Sequence, residues 1–202
     1  MTATKSTTRI EKLGSKSLVR TPASAKRTKS AAPPENAKRH ATGVASGSTP
    51  EHRLDVGDEL PVATLPDQRG EPFAIASLRG KRAVVYFYPK DDTPGCTREA
   101  CSFQEGLAKF KRARATLVGI SPDPPRRHAQ FAEKYQLTFT LLADTDRNYA
   151  KSCGVLVPKT LYGRTSIGIE RTTFLVDEKG VIRRVWRKVK VDGHFDAVLA
   201  AL

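Results

Sequence analysis

Cysteine is scarce in this chain, with three in 202 residues, and three thiols are too few for a disulfide framework. The four histidines, His40, His52, His128 and His194, stand far apart without the spacing of metal ligands and read as surface residues. No apolar run approaches the roughly 20 residues of a membrane span. The N-terminus also lacks the apolar core, roughly 7–15 residues long, of a secretory signal. There is no G-x-S-x-G nucleophile turn and no phosphate-binding loop; Gly163 and Gly168 stand alone in a polar segment. Residues 1–51 are poor in large apolar side chains and dominated by Ala, Ser, Thr, Pro, Lys and Arg. Such a stretch has too little surface to bury against its chain entropy, so it is predicted to be a disordered tail.

That tail is strongly basic. It holds ten Lys/Arg against three Asp/Glu, so about a quarter of the chain carries half of the net +14. Its plainest role is a solvated extension. Dispersed pairs such as Lys26-Arg27 and Lys38-Arg39 also suit weak, non-specific attraction to nucleic acid or another polyanion. No aromatics are interleaved with them, so base stacking is not indicated. A third role is organelle targeting, since the segment is poor in acids, although it has no amphipathic apolar face. A polyanion- or DNA-associated protein is therefore the alternative to an enzymatic function.

Residues 52–202 have the rhythm of one α/β domain. Leu60-Pro61 and Ala63-Thr64-Leu65 open it, with Asp67-Gln68-Arg69-Gly70 as a turn. The run 83–88 is continuously apolar or aromatic, as in a strand buried on both faces. Ala100, Phe103, Leu107 and Phe110 recur at spacings of three and four, which predicts a helix over about 97–112. Residues 116–120 read as the next strand. Pro124 and Pro125 open a helix with Ala129, Phe131, Ala132 and Tyr135 inward. Residues 138–142 form a strand and 146–153 a short helix. Residues 172–176 and 181–186 form a hairpin about Asp177-Glu178-Lys179-Gly180, and 193–202 is a closing helix with Phe195, Val198 and Leu199 inward. This order predicts a thioredoxin-like α/β fold, a mixed central sheet flanked by helices.

Two of the three cysteines, Cys96 and Cys101, lie where the strand 83–88 gives way to a helix. A thiol at a helix N-terminus sits in the positive end of the dipole, which favours thiolate. The C-x4-C spacing is wider than that of a zinc knuckle, and the C-x-x-C of disulfide oxidoreductases is absent.

The stretch Tyr86-Phe87-Tyr88-Pro89-Lys90-Asp91-Asp92-Thr93-Pro94-Gly95-Cys96-Thr97-Arg98-Glu99-Ala100-Cys101 closely resembles the active-site segment of the peroxiredoxin Q family. These proteins, also called bacterioferritin comigratory proteins, are AhpC/TSA-type thiol peroxidases. The similarity continues through Gly119-Ile120-Ser121-Pro122-Asp123, Phe131-Ala132-Glu133-Lys134-Tyr135, Thr140-Leu141-Leu142-Ala143-Asp144 and Gly168-Ile169-Glu170-Arg171-Thr172-Thr173-Phe174-Leu175-Val176-Asp177. It spans roughly residues 54–202 and leaves the tail uncovered.

The resemblance implies that Cys96 attacks the peroxide as a thiolate and becomes a sulfenic acid. Arg171 would lower its pKa together with the helix N-terminus, and would hold the peroxide oxygens. Thr93 would accept a hydrogen bond from the peroxide, and Pro89 would shield the sulfur and fix the loop. Amides near Gly95 and Cys96 would stabilise developing negative charge. Cys101 would be the resolving thiol, with thioredoxin or a similar dithiol as reductant. No metal, haem or flavin is implied. A monomer in a bacterial cytoplasm is expected, with an organelle or nucleus as the alternative if the tail is a targeting segment.

Helix geometry adds one expectation. Residues five apart on a helix have Cα atoms about 8–9 Å apart, beyond the roughly 7 Å limit for a disulfide. Cys96 and Cys101 are therefore expected to bond only after the helix start unwinds. Cys153, near a helix end, reads as a small buried thiol, with a resolving role as the alternative.

Overall fold

The computed structural model describes residues 53–161 and 164–202. The expectations for the tail, and for His40 and His52, lie outside the described residues. An antiparallel pair, β1 (Thr64–Pro66) and β2 (Pro72–Ala74), and a 3-10 turn (Ile75–Leu78) lead into β3 (Arg82–Phe87). Then follow α1 (Pro94–Glu105), α2 (Leu107–Arg112), β4 (Ala115–Ser121), α3 (Pro125–Tyr135), β5 (Thr140–Ala143) and α4 (Asn148–Ser152). The chain continues through β6 (Leu156–Leu161), β7 (Arg164–Ile169), β8 (Thr172–Val176), β9 (Ile182–Trp186) and α5 (His194–Leu199).

Five strands form the central sheet in the order β5-β4-β3-β8-β9. Parallel pairs β3–β4 and β4–β5 are joined by helical crossovers, whereas β8 and β9 run antiparallel and close as a hairpin. β3 lies at the centre, and its residues from Ala83 to Phe87 are all buried, as a strand covered on both faces requires. Val85 and Phe87 point into one apolar cluster with Val118, Ile120, Leu142 and Phe174. Val84 and Tyr86 point into the other, with Phe103, Phe110, Phe131 and Leu141. The mixed thioredoxin-like sheet expected from the sequence is the observed one.

Three expectations change. The single helix over 97–112 is two helices, because α1 ends at Gly106 and α2 begins beside it. Gly106 is buried where α5 crosses, and a Cβ there would overlap the Phe195 ring. On α3 the inward residues are His128 and Phe131, with Ala132 and Tyr135 half-buried and Ala129 exposed. The polar segment around Gly168 is the β6–β7 ladder, a two-stranded antiparallel pair outside the central sheet. Its exposed faces carry no apolar alternation to announce it.

None of the described helices is long and apolar enough to cross a membrane. Gly106→Ala should force Phe195 out of its seat and lower stability by about 1–3 kcal/mol, an overpacking cost that urea unfolding would measure.

Candidate active site

α1 begins where β3 has ended and the chain has turned through Pro89–Thr93. Thr93 stands at the N-cap position and Pro94 follows inside the first turn, where its missing N–H costs nothing. The first intrahelical bond runs from the Thr97 amide to the Thr93 carbonyl, 2.8 Å. The amides of Gly95 and Cys96 therefore have no acceptor within the helix and present partial positive charge at its start. Cys96 is buried there, only 2% exposed.

Arg171 comes from the segment just before β8, 75 residues later, and its Nη2 donates to Cys96 Sγ at 3.1 Å. Its Nη1 donates to Glu99 Oε2. Burial works against the guanidinium's charge, but Glu99 and Cys96 beside it outweigh this and raise its pKa above the ordinary value. Glu99 is 2% exposed, and burial pushes its carboxyl up to about 7 despite the opposing pull of Arg171. One oxygen explains the imbalance. Glu99 Oε1 is buried and has no hydrogen-bond partner among the described residues.

The Thr93 hydroxyl donates to the Lys90 carbonyl at 3.0 Å and makes no capping bond to the helix. With its one proton spent, its oxygen presents lone pairs toward an incoming donor. Pro89 is half-buried at the start of the loop. That loop is tied down on both sides of its bend. Asp91 is 1% exposed, accepting from the Tyr88 hydroxyl at 2.7 Å and facing His128 Nδ1 at 2.7 Å. His128 Nε2 faces the Leu142 carbonyl at 3.1 Å, so it must carry a proton. The Asp91 amide donates to Asp123 Oδ2 at 2.8 Å. Asp92, in the left-handed region at φ 57°, accepts from Lys134 Nζ and the Tyr135 hydroxyl on α3.

The sequence-predicted residues divide clearly. Cys96, Thr93 and Arg171 converge with the first turn of α1, and Pro89 lies on the same loop. Cys101 is half-buried on α1, one and a half turns beyond Cys96; burial and the nearby Glu105 raise its pKa. All three thiols are free. Cys153 packs with Val85 and Phe87 on the other face of the sheet from Cys96, and burial pushes its thiol up to about 12.

Two histidines expected at the surface are buried. His128 is 0% exposed, and His194 bonds Thr173 Oγ1 at 2.8 Å. Burial, aided by the Arg171 charge, lowers the His194 pKa to about 4. Glu99, Asp91 and His128 are site-lining positions that sequence reasoning passed over. For two of them the signal was a polar residue on an inward helical stripe, Glu99 three residues after Cys96 and His128 three before Phe131.

A buried cysteine held by an arginine at a helix start, on a thioredoxin-like fold, is the arrangement of a thiol peroxidase. The pattern of the AhpC/TSA family matches residues 56–185, and the chain belongs to that family. A peroxiredoxin Bcp homologue of Coxiella burnetii is 48% identical over 149 residues, 74% of this chain and 99% of that protein. Peroxiredoxin Bcp of Bacillus subtilis is 40% identical, covering 74% and 95% respectively. A cysteine-to-serine variant of peroxiredoxin Q from Xylella fastidiosa superposes with a TM-score of 0.71 at 35% identity, over 74% of this chain and 96% of that one.

Two outcomes follow from this geometry. The Glu99 pKa is higher folded, about 7, than its ordinary 4.5, so the native state holds a proton that the unfolded state releases between these values. Its contribution to stability is complete below pH 4.5 and is lost as pH rises through 7. Glu99→Gln should flatten that part of the profile, by up to about 3 kcal/mol between pH 4.5 and 8 in paired urea titrations. His128→Phe should leave the buried Asp91 with the Tyr88 hydroxyl as its one side-chain partner and lower stability by about 1–3 kcal/mol in the same assay.

Proposed function

We propose that Cys96 is the peroxidatic cysteine and Cys101 the resolving one, acting on hydrogen peroxide and organic hydroperoxides. The observation that carries this is the 3.1 Å contact between Arg171 Nη2 and Cys96 Sγ, made at the open end of a helix. A xanthomonad relative with 40% identity, the Xanthomonas campestris bacterioferritin comigratory protein, is described for its alkyl peroxide reduction activity.

The Cys96 thiolate attacks one peroxide oxygen, forming an S–O bond as the O–O bond breaks. The departing alkoxide or hydroxide takes a proton and leaves as alcohol or water. Arg171 holds the thiolate before attack and the separating oxygens during it, a charge-assisted contact that strengthens as charge moves. The Gly95 and Cys96 amides face the same region. Thr93 accepts from the peroxide O–H and so aligns the O–O bond with the sulfur. Pro89 borders the loop and limits access of water. Above pH 7 the Glu99 carboxylate shares the guanidinium; below it, protonated Glu99 leaves Arg171 to the sulfur and its substrate.

Cys101 then displaces hydroxide from the sulfenic sulfur, giving water and a Cys96–Cys101 disulfide. Both cysteines belong to one continuous helix, Pro94–Glu105, in which their Cα atoms are about 8–9 Å apart. The first turns of α1 must unwind for this bond and refold after thioredoxin or a similar dithiol reduces it.

A thioredoxin-coupled peroxidase assay tests the roles. Cys96→Ser should abolish turnover and Cys101→Ser should stall after one oxidation, while Cys153→Ser keeps most activity. A Cys101→Ser variant with full turnover would overturn the resolving role. Hydrogen exchange supplies the second check: the disulfide form should lose amide protection across 97–104. Unchanged protection there would overturn the unwinding step.

A further inference from the structure

The β6–β7 hairpin bends a lysine back toward the segment that delivers Arg171. Lys159 Nζ donates to the Ile169 carbonyl at 2.6 Å, two residues before Arg171. Its stem lies across Gly168, where a Cβ would come within 2.9 Å of Lys159 Cδ. A side chain at 168 would push the stem off its path, which gives this glycine a packing reason. The Glu170 amide is held in turn by the Val155 carbonyl at 2.8 Å, so the chain from 169 to 171 is fastened on successive residues.

The contact with the Ile169 carbonyl sets the Lys159 ammonium two residues from the arginine that holds the thiol. Burial and the Arg171 charge push its pKa below the ordinary lysine value, while Cys96 and Glu170 pull the other way. Glu170 already has Arg53 and Arg187 as ion-pair partners, so it offers Lys159 little unshared charge. An ammonium on an exposed hairpin is free to extend into water. This one, on an exposed residue, is instead folded back onto the Ile169 carbonyl.

We propose that Lys159 is a positioning residue of the peroxidatic site: it fixes the Ile169–Arg171 segment and adds a second positive charge that favours the Cys96 thiolate. The inference rests on Cys96 being the peroxidatic cysteine. Arg171 touches the sulfur and acts on the reacting atoms; Lys159 acts through Arg171 and through its field.

The test is the thiolate fraction of the reduced full-length protein, followed by ultraviolet absorbance from pH 4 to 8 with Cys96→Ser as the blank. The raised pKa of Cys101 and that of Cys153, about 12, keep those thiols silent in this range. Within the transition, Lys159→Met should lower the thiolate fraction roughly threefold to tenfold, and the rate with hydrogen peroxide by a similar factor. Lys159→Arg should restore most of both, and added salt should narrow the gap between wild type and Lys159→Met. An unchanged thiolate fraction in a folded Lys159→Met, or a Lys159→Arg as impaired as Lys159→Met, would overturn the inference. An absorbance step that persists in Cys96→Ser would instead overturn the peroxidatic assignment, and this inference with it.

Discussion

A half-buried guanidinium shared between a sulfur and a carboxylate is the constraint around which the rest of this molecule is arranged. A buried charge is tolerated only with close partners, and Arg171 has two, Cys96 and Glu99, on the first turns of one helix. The requirement runs both ways. Glu99 has only one of its oxygens satisfied and sits near neutrality, so the charge of the cluster is balanced finely rather than locked.

The same arrangement separates what must stay from what must move. The loop before Cys96 is fastened through Asp91 to a sealed histidine and through Asp92 to the surface of α3. Beyond it, α1 buries Cys96, Glu99, Ala100 and Phe103, and carries Cys101 half-buried on its flank. The loop and the inward stripe of the helix thus hold Cys96 in place, while Cys101 stands nearer the surface.

Legibility followed the range of the interaction. β3 and β8 could be read because a strand covered on both faces must be apolar throughout, and Tyr86-Phe87 and Phe174-Leu175 are. The helix start at Cys96 was written locally in Thr93, Pro94 and the apolar spacing after them. The break at Gly106 was not, since it depends on Phe195, nearly ninety residues away, crossing at that point. α3 turns His128 inward in place of Ala129, because a buried aspartate meets the imidazole, a contact that no local pattern announces. The β6–β7 ladder escaped because both of its faces are largely exposed and its residues are mixed.

The sequence by itself determined Cys96 and its seat at a helix start, the second thiol five residues on, and the sheet that carries them. These are consequences of backbone periodicity and of residue chemistry within a few positions. Only the tertiary structure decided that the Glu99 carboxyl is pushed up to about 7, that His128 anchors the loop, that Cys153 lies across the sheet from Cys96, and that Lys159 meets the Ile169 carbonyl beside Arg171. Desolvation and Coulomb forces act between groups distant in the chain, so their values exist only once the fold has brought those groups together.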